Sequence, residues 1–293
     1  MVQRIKRRTA EWWGNSGKES NRPNIVSMVK NNTLDTRLAA MLWLLYERGS
    51  SVIFASEEKA AGKTSMLSAF IDFIPPFYQK SYVYGPKFES PEQEDGLTKT
   101  YLLIPGINDT GEANLWSSDV SKMLKWSTDG GPFSTTMYAG SPEGVIKAFS
   151  DKPLKIPNKV LGGIGAIVIV DAISTGGRSV SRRVREFALV VPEKSGKPKL
   201  ITLAGWEPDL DQYIFMDSQL AVSNLSKHLK LDANELEAEI NRLRRRLEAW
   251  ITIGTSTTSE VRKAVHQYLS LIHISEPTRP RLISYAVFGL KKK

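Results

Sequence analysis

The residues best suited to do chemistry in this chain are Gly62, Lys63 and Thr64, at the end of the stretch SVIFASEEKAAGKTSML from Ser51 to Leu67. A lysine and a hydroxyl at the start of a helix, behind a glycine turn, are the parts of a phosphate-binding loop. Backbone N–H groups and the helix N-terminus hold phosphate oxygens there. The ammonium reaches the outer phosphates, and the hydroxyl serves as a ligand to Mg²⁺. The bland alternative is a surface loop with an accidental Gly-Lys-Thr, and the tripeptide alone does not exclude it. The flanking pattern favours the loop. Val52-Ile53-Phe54 is β-branched and aromatic and predicts a buried strand. Ser65 to Ile74 carries apolar residues at helical spacing and is stopped by Pro75-Pro76. The candidate phosphate-binding residues are therefore Lys59, Ala60, Ala61, Gly62, Lys63, Thr64 and Ser65, with Thr64 as the metal ligand. One residue is out of place. Glu57 stands where such a loop has its first glycine, and it brings a negative charge towards a polyphosphate.

The elements that must position this loop follow from periodicity. Leu38, Met41, Leu42, Leu45 and Tyr46 predict a helix within residues 24–48, capped near Asp35 or Thr36 and leading through Gly49 into the loop strand. Short strands are expected at Tyr82–Tyr84 and Tyr101–Ile104, on either side of the acidic stretch ESPEQEDG. Val120–Trp126 reads as helix and Ser134–Tyr138 as strand. Ser141-Pro142-Glu143 opens a helix with proline in its first turn. Ala166–Ile173 is a buried strand. Val184–Pro192 and Leu200–Trp206 flank the turn EKSGKP as an antiparallel pair. Leu236, Ile240, Leu243, Leu247 and Trp250 form one apolar helix stripe behind an Asp232 cap. Strands alternating with helices predict an α/β sheet.

Composition narrows the function classes. No cysteine is present, which removes disulfides and thiolate metal sites. No apolar run is long enough to span a bilayer, and a cytoplasmic location is the default expectation. The net charge of +9 is concentrated at the ends. Residues 1–22 and 269–293 together carry nearly all of the excess, and the body between them is close to neutral. A basic face on the folded part, as direct nucleic-acid binding needs, is not expected.

The C-terminal string LSLIHISEPTRPRLISYAVFGLKKK resembles a translated sequencing-library adapter, with Leu269 through Arg279 matching letter for letter. Residues 269–293 are accordingly expected to add nothing to the fold, and His273 is set aside. The division that follows is 1–22 as a poorly ordered basic leader, 23–205 as the core, 206–268 as a helical part and 269–293 as an artefactual tail.

The ordered features from about Pro23 onward resemble the assembly ATPases of type II and type IV secretion, type IV pili and the archaeal flagellum. The stretch TLDTRLAAMLWLLYERGSSVIFASEEKAAGKTSMLSAFIDFIPP is similar to their helix, strand, Walker A loop and closing Ile-Pro-Pro. STTMYAGSPEGVIKAFSDKPLKIPNKVLGGIGAIVIV resembles their histidine-box region, and GGRSVSRRVREFALVV and LAGWEPDLDQYIF resemble the β-rich stretch beyond it. The resemblance implies a RecA-like core that binds ATP and Mg²⁺. It also implies a hexameric ring of like subunits, the same or a paralogue, and a platform membrane protein as partner. The location would be peripheral to the inner face of the cell membrane.

The departures fall on catalysis. Pro105 and Gly106 occupy the Gly-Glu positions of the Walker B region, and Asn108 occupies that of its arginine. Tyr138 replaces the box histidine and Gly140 its aspartate. Asp109, Glu112 and Tyr138 are the candidate catalytic residues by position, with Glu57 and Glu58 as further acids. Arg178, Arg182, Arg183 and Arg185 could reach a neighbouring subunit's phosphate as a finger. His228 and His266 are expected on helix surfaces. A divergent motor ATPase and a nucleotide-binding or structural relative that pairs with an active paralogue both stay open. A nucleic-acid-stimulated protein is disfavoured by the neutral body.

Overall fold

A computed structural model describes residues 22–91, 99–110, 113–174, 180–193 and 196–275. Glu112, Arg178, the leader 1–21 and the end of the chain beyond 275 lie outside the described residues. Two helices open the fold, α1 (Ile25–Lys30) and α2 (Thr36–Glu47), followed by β1 (Val52–Ser56) and α3 (Lys63–Phe70). Next come β2 (Tyr78–Tyr82), β3 (Lys99–Leu103), α4 (Ser118–Thr128), β4 (Phe133–Tyr138), α5 (Pro142–Ser150) and α6 (Asn158–Leu161). The sheet continues with β5 (Ala166–Ser174), β6 (Val180–Val191), β7 (Lys199–Glu207) and β8 (Gln212–Phe215). Helices α7 (Gln219–Leu229), α8 (Ala233–Thr252) and α9 (Thr258–Ser275) end the described chain.

One eight-stranded sheet holds the molecule together, in the order β2-β3-β4-β1-β5-β6-β7-β8. The pairs from β2 to β5 are parallel, and the pairs from β5 to β8 are antiparallel. Strand β1 thus lies between β4 and β5, and β4 separates it from β3. The order gives a mixed α/β fold in which a parallel core is extended by an antiparallel β-rich stretch and closed by helices, in keeping with the α/β expectation. Parallel pairing puts the loops after β1, β3, β4 and β5 at one edge, where open α/β sheets bind ligands.

Helices cover both faces, which is why β1 is buried at all five positions. Its side chains alternate with period two. Val52 and Phe54 join the core under α1, α2, α3, α8 and α9, while Ile53 and Ala55 join the core under α4 and α5. Helix α2 is buried from Leu38 through Tyr46, because it lies between the sheet and α8. Trp43 stacks on Trp250 at 5.4 Å and meets Tyr268 edge-on at 5.1 Å, fastening the C-terminal helices to the core. Such aromatic pairs add about 0.5–1.5 kcal/mol beyond area burial.

Several boundaries differ from the sequence expectation. Residues 24–48 form two helices, because Asn32 turns the chain at φ +53° and Asp35 caps a fresh start. The strand expected at Tyr82–Tyr84 lies earlier, directly after the double proline. The sheet runs on through β8, past the 205/206 boundary, and α7 begins behind a Ser218 cap. The Asp232 cap is present, as a capping box with Glu235. Helix α9 continues to Ser275, and Leu269 is only 2% exposed within the main core. The expectation that nothing from residue 269 onward belongs to the fold is therefore corrected. Leu269 continues the apolar stripe of Val261 and Val265, and extending a formed helix needs no new nucleus.

Candidate functional site

The loop after β1 turns through two left-handed residues, Ala60 at φ +60° and Gly62 at φ +102°. Glycine is required at position 62 twice over. The conformation disfavours a side chain, and a Cβ there would sit 2.7 Å from Cδ of Arg182. The Ser56 hydroxyl accepts from the Glu58 N–H at 3.1 Å and fixes the start of the turn. Helix α3 begins at Lys63, and no side chain caps its first turn. Its leading N–H groups and positive end are therefore available to an anion. Thr64 and Ser65 lie half-buried in that turn, Ala61 is buried, and Lys59 and Ala60 are exposed.

Lys63 is folded into its own loop. Its ammonium donates to the Glu58 carbonyl at 2.7 Å and lies 4.2 Å from the ring centre of Tyr138. The residue is 7% exposed. Burial lowers its pKa to about 8, against the opposing pull of Glu58. Tyr138 is brought here by register, since Ser56 pairs with Tyr138 across β1 and β4. A second cation covers the other side of the loop: Arg182 on β6 reaches the Ala60 carbonyl at 3.4 Å.

The Walker B positions are closed. Beyond β3, Ile107 continues the pairing with β4, and the Thr136 hydroxyl donates to the Pro105 carbonyl at 2.7 Å. A Cβ on Gly106 would lie 2.8 Å from the Asn114 side-chain oxygen, 3.2 Å from the Asn108 amide nitrogen and 3.3 Å from the Thr136 hydroxyl. The Asn108 oxygen in turn accepts from the Asn114 amide at 2.8 Å and from Thr110. This side-chain amide network surrounds Gly106. Asp109 is exposed on the turn that follows.

Beyond the loop opens a cleft of 440 Å³ lined by Glu57, Tyr138, Ala139, Gly140 and Ser141. Glu57 crosses Gly140 so closely that a Cβ at position 140 would lie 2.9 Å from its Oε2. Arg185 braces this wall, donating to the Gly140 carbonyl and pairing with Asp171 at 2.6 Å. It can do so because β6 bulges there: Ile169 pairs with Glu186 and Val170 with Val184, so Arg185 is skipped. The Ser141 hydroxyl caps α5 at the far rim.

The other expected residues separate from this group. Arg183 points away and grips both Asp211 oxygens at 2.6 and 2.8 Å, which holds the Asp211 carboxyl well below the usual range. His228 is not a surface residue. Its Nε2 lies 2.9 Å from the Ser50 hydroxyl, and burial lowers its pKa. His266 is exposed on α9. Among the described residues, no group of three or more His, Asp or Glu is placed to hold a metal ion. The Thr64 hydroxyl, half-buried in the first turn of α3, is the protein oxygen beside Lys63 that could join phosphate and water oxygens around Mg²⁺. No helix among the described residues is long and apolar enough to cross a membrane.

No protein-family model matches the chain. It is 25% identical over 244 residues to the uncharacterized protein MJ1287 of Methanocaldococcus jannaschii, covering 75% of this chain and 88% of that one. It is 24% identical over 215 residues to the uncharacterized protein MJ0900 of the same organism, where it spans 38% of the relative's length. Among solved structures, it is similar to the VirB11 ATPase of the Brucella suis type IV secretion system in complex with sulphate, at TM-score 0.38 and 14% identity over 64% of each chain. It is similar to the ATPase DotB of Legionella pneumophila at TM-score 0.36 and 12% identity, over 86% of this chain and 66% of that one.

Proposed function

We propose that this protein binds ATP with Mg²⁺ at the loop 57–65 and hydrolyses it slowly, as a subunit of a secretion- or pilus-type assembly machine. The observation that carries the binding half is the uncapped first turn of α3, with Lys63 and Thr64 on it, behind a glycine at φ +102° on the central strand of the sheet. Backbone N–H groups and the helix terminus would hold the phosphates. Lys63 would exchange the Glu58 carbonyl for a phosphate oxygen, and Arg182 stands ready on the opposite side. Mg²⁺, when bound beside Thr64, neutralises charge on the outer phosphates. The machine assignment rests on the sequence resemblance. With it come a six-membered ring of like subunits, a platform membrane protein as partner and a position at the inner face of the membrane.

The closed Gly106 pocket favours a second reading on one specific ground. A chain with glycine in place of a carboxylate at position 106 serves its ring by binding nucleotide without turning it over, next to an active paralogue. Titration with a fluorescent ATP analogue tests the binding, with Lys63→Ala as the variant expected to abolish it. A phosphate-release assay separates the two readings. Sedimentation with and without Mg-ATP tests the ring. Absence of binding at millimolar nucleotide would overturn both readings.

A further inference from the structure

We propose that Glu57 is the catalytic carboxylate of this site, moved from the sheet's third strand to the phosphate loop itself. The inference rests on the nucleotide-binding reading above. Hydrolysis needs an acid that orients water and accepts its proton. The position on the β3 side is crowded, because a Cβ on Gly106 would press on the side-chain tips of Asn114, Asn108 and Thr136 at 2.8–3.3 Å, and a carboxylate there would have to displace them. The other described acids near this edge do not line the cleft. Asp171 pairs with Arg185 at 2.6 Å. Glu58 meets Lys63 through its backbone carbonyl. Asp109 is exposed on the turn beyond β3. Glu57, exposed at the rim, is the carboxylate that lines the 440 Å³ cleft among the described residues, beside the Tyr138 ring on which the Lys63 ammonium rests.

Two anomalies of the sequence become one arrangement in space. An acid at position 57, where a glycine is expected, and a glycine at position 140, where an acid is expected, face each other across the gap between β1 and β4. Gly140 leaves the volume that the Glu57 side chain occupies, since even a methyl group there would come within 2.9 Å of Oε2. Arg185 holds the Gly140 carbonyl and so fixes the wall against which the carboxylate lies. The glycine at position 140 and the acid at position 57 thus fit one volume.

The step balances as follows. A water oxygen attacks the γ-phosphorus of ATP, and its proton passes to a Glu57 carboxylate oxygen. The bond from the γ-phosphorus to the bridging oxygen breaks, and ADP leaves with the electron pair. Inorganic phosphate departs, and the proton returns from Glu57 to solvent.

The same carboxylate repels the phosphates it serves, and this gives opposite signs for binding and turnover. Glu57→Gln should tighten the fluorescent ATP analogue by about threefold to tenfold, because a unit charge beside a polyphosphate is removed. It should lower phosphate release by about 10²- to 10⁴-fold. Gly140→Ala, which presses a methyl group on the carboxylate, should lower turnover in the same direction while binding is kept. Turnover of Glu57→Gln within about threefold of the parent, at tighter binding, would overturn the proposal and mark Glu57 as an electrostatic liability alone. A parent protein that binds but releases no phosphate above the Lys63→Ala background would overturn it as well. A parent protein that does not bind at all would instead overturn the nucleotide-binding reading on which it stands.

Discussion

If Lys63 awaits a phosphate, nucleotide binding must be coupled to a proton. Without ligand the ammonium is buried against the Tyr138 ring and a single carbonyl, and its pKa falls from 10.5 to about 8. Burial disfavours the charged form, so the cost of keeping that charge is present in full below pH 8 and is relieved as pH rises from 8 towards 10.5. A bound polyphosphate supplies the missing counter-charge and draws the pKa back up. At pH 8 half of the unliganded molecules carry a neutral Lys63, and binding takes up about half a proton; at pH 7 the uptake is about a tenth of a proton. The γ-phosphate does not obscure the signal, since its own last ionisation, near 6, is complete at pH 8. Calorimetric titration with Mg-ATP in buffers of different ionisation enthalpy reads the uptake directly, as the slope of observed enthalpy against buffer enthalpy. The slope should rise several-fold from pH 7 to pH 8. Tyr138→Leu, which exposes the ammonium, should flatten that rise. A slope of zero at pH 8, or one equal at both pH values, would refute the claim that the buried Lys63 is the phosphate ligand.

Two further outcomes test the fold around the site. Leu269→Ala should lower stability by about 2–5 kcal/mol, as for a buried leucine, whereas Leu271→Ala, at a position 65% exposed, should stay within about 0.5 kcal/mol; equal thermal midpoints for the two variants would return the end of the fold to Tyr268. His228 is held neutral by burial, so the unfolded chain binds the extra proton and stability should fall as pH drops below about 6.5. Denaturant midpoints at pH 7.5 and 5.5 should differ less in His228→Gln than in the parent, and an unchanged pH slope would remove His228 as the cause.

What was legible in the sequence was whatever is local. The strand before the phosphate loop, the glycine turn, the helix behind it and the Asp232 cap each depend on a few neighbouring residues, and each stands where the pattern put it. The α/β class followed from alternating periods. Less was legible where packing overrides pattern. Helix α2 reads as amphipathic, yet α8 covers its outer side, so its full burial depends on residues two hundred positions away. Strand β8 is four residues long and carries no period of its own. It exists because β7 offers an edge and because Tyr213 and Phe215 find the core. His228 reads as a surface residue on α7, and only the packing of that helix against the loop before β1 brings it to Ser50.

The half of the proposed site assigned to catalysis was the least legible part, for a physical reason. Phosphate binding uses backbone groups and side chains within one turn of chain, so its parts are adjacent in sequence and can be counted along it. Catalysis is a matter of which side chains share a volume, and volume is set by strand order and register. Glu57 and Gly140 each look like a loss when matched to a linear motif. Placed by the Ser56–Tyr138 register, they occupy the same few ångströms. Likewise Gly106 reads as a deleted glutamate, but the space beside it is not empty, because Asn108, Asn114 and Thr136 have closed over it with hydrogen bonds of 2.7–2.8 Å. Restoring glutamate at position 106 would therefore not restore a Walker B acid. It would drive a carboxylate into a network already satisfied by amides and a hydroxyl, at the cost of those bonds and of the burial of a new charge. On the proposed reading, a carboxylate that acts on bound phosphate lies in the cleft between β1 and β4 and not beyond β3.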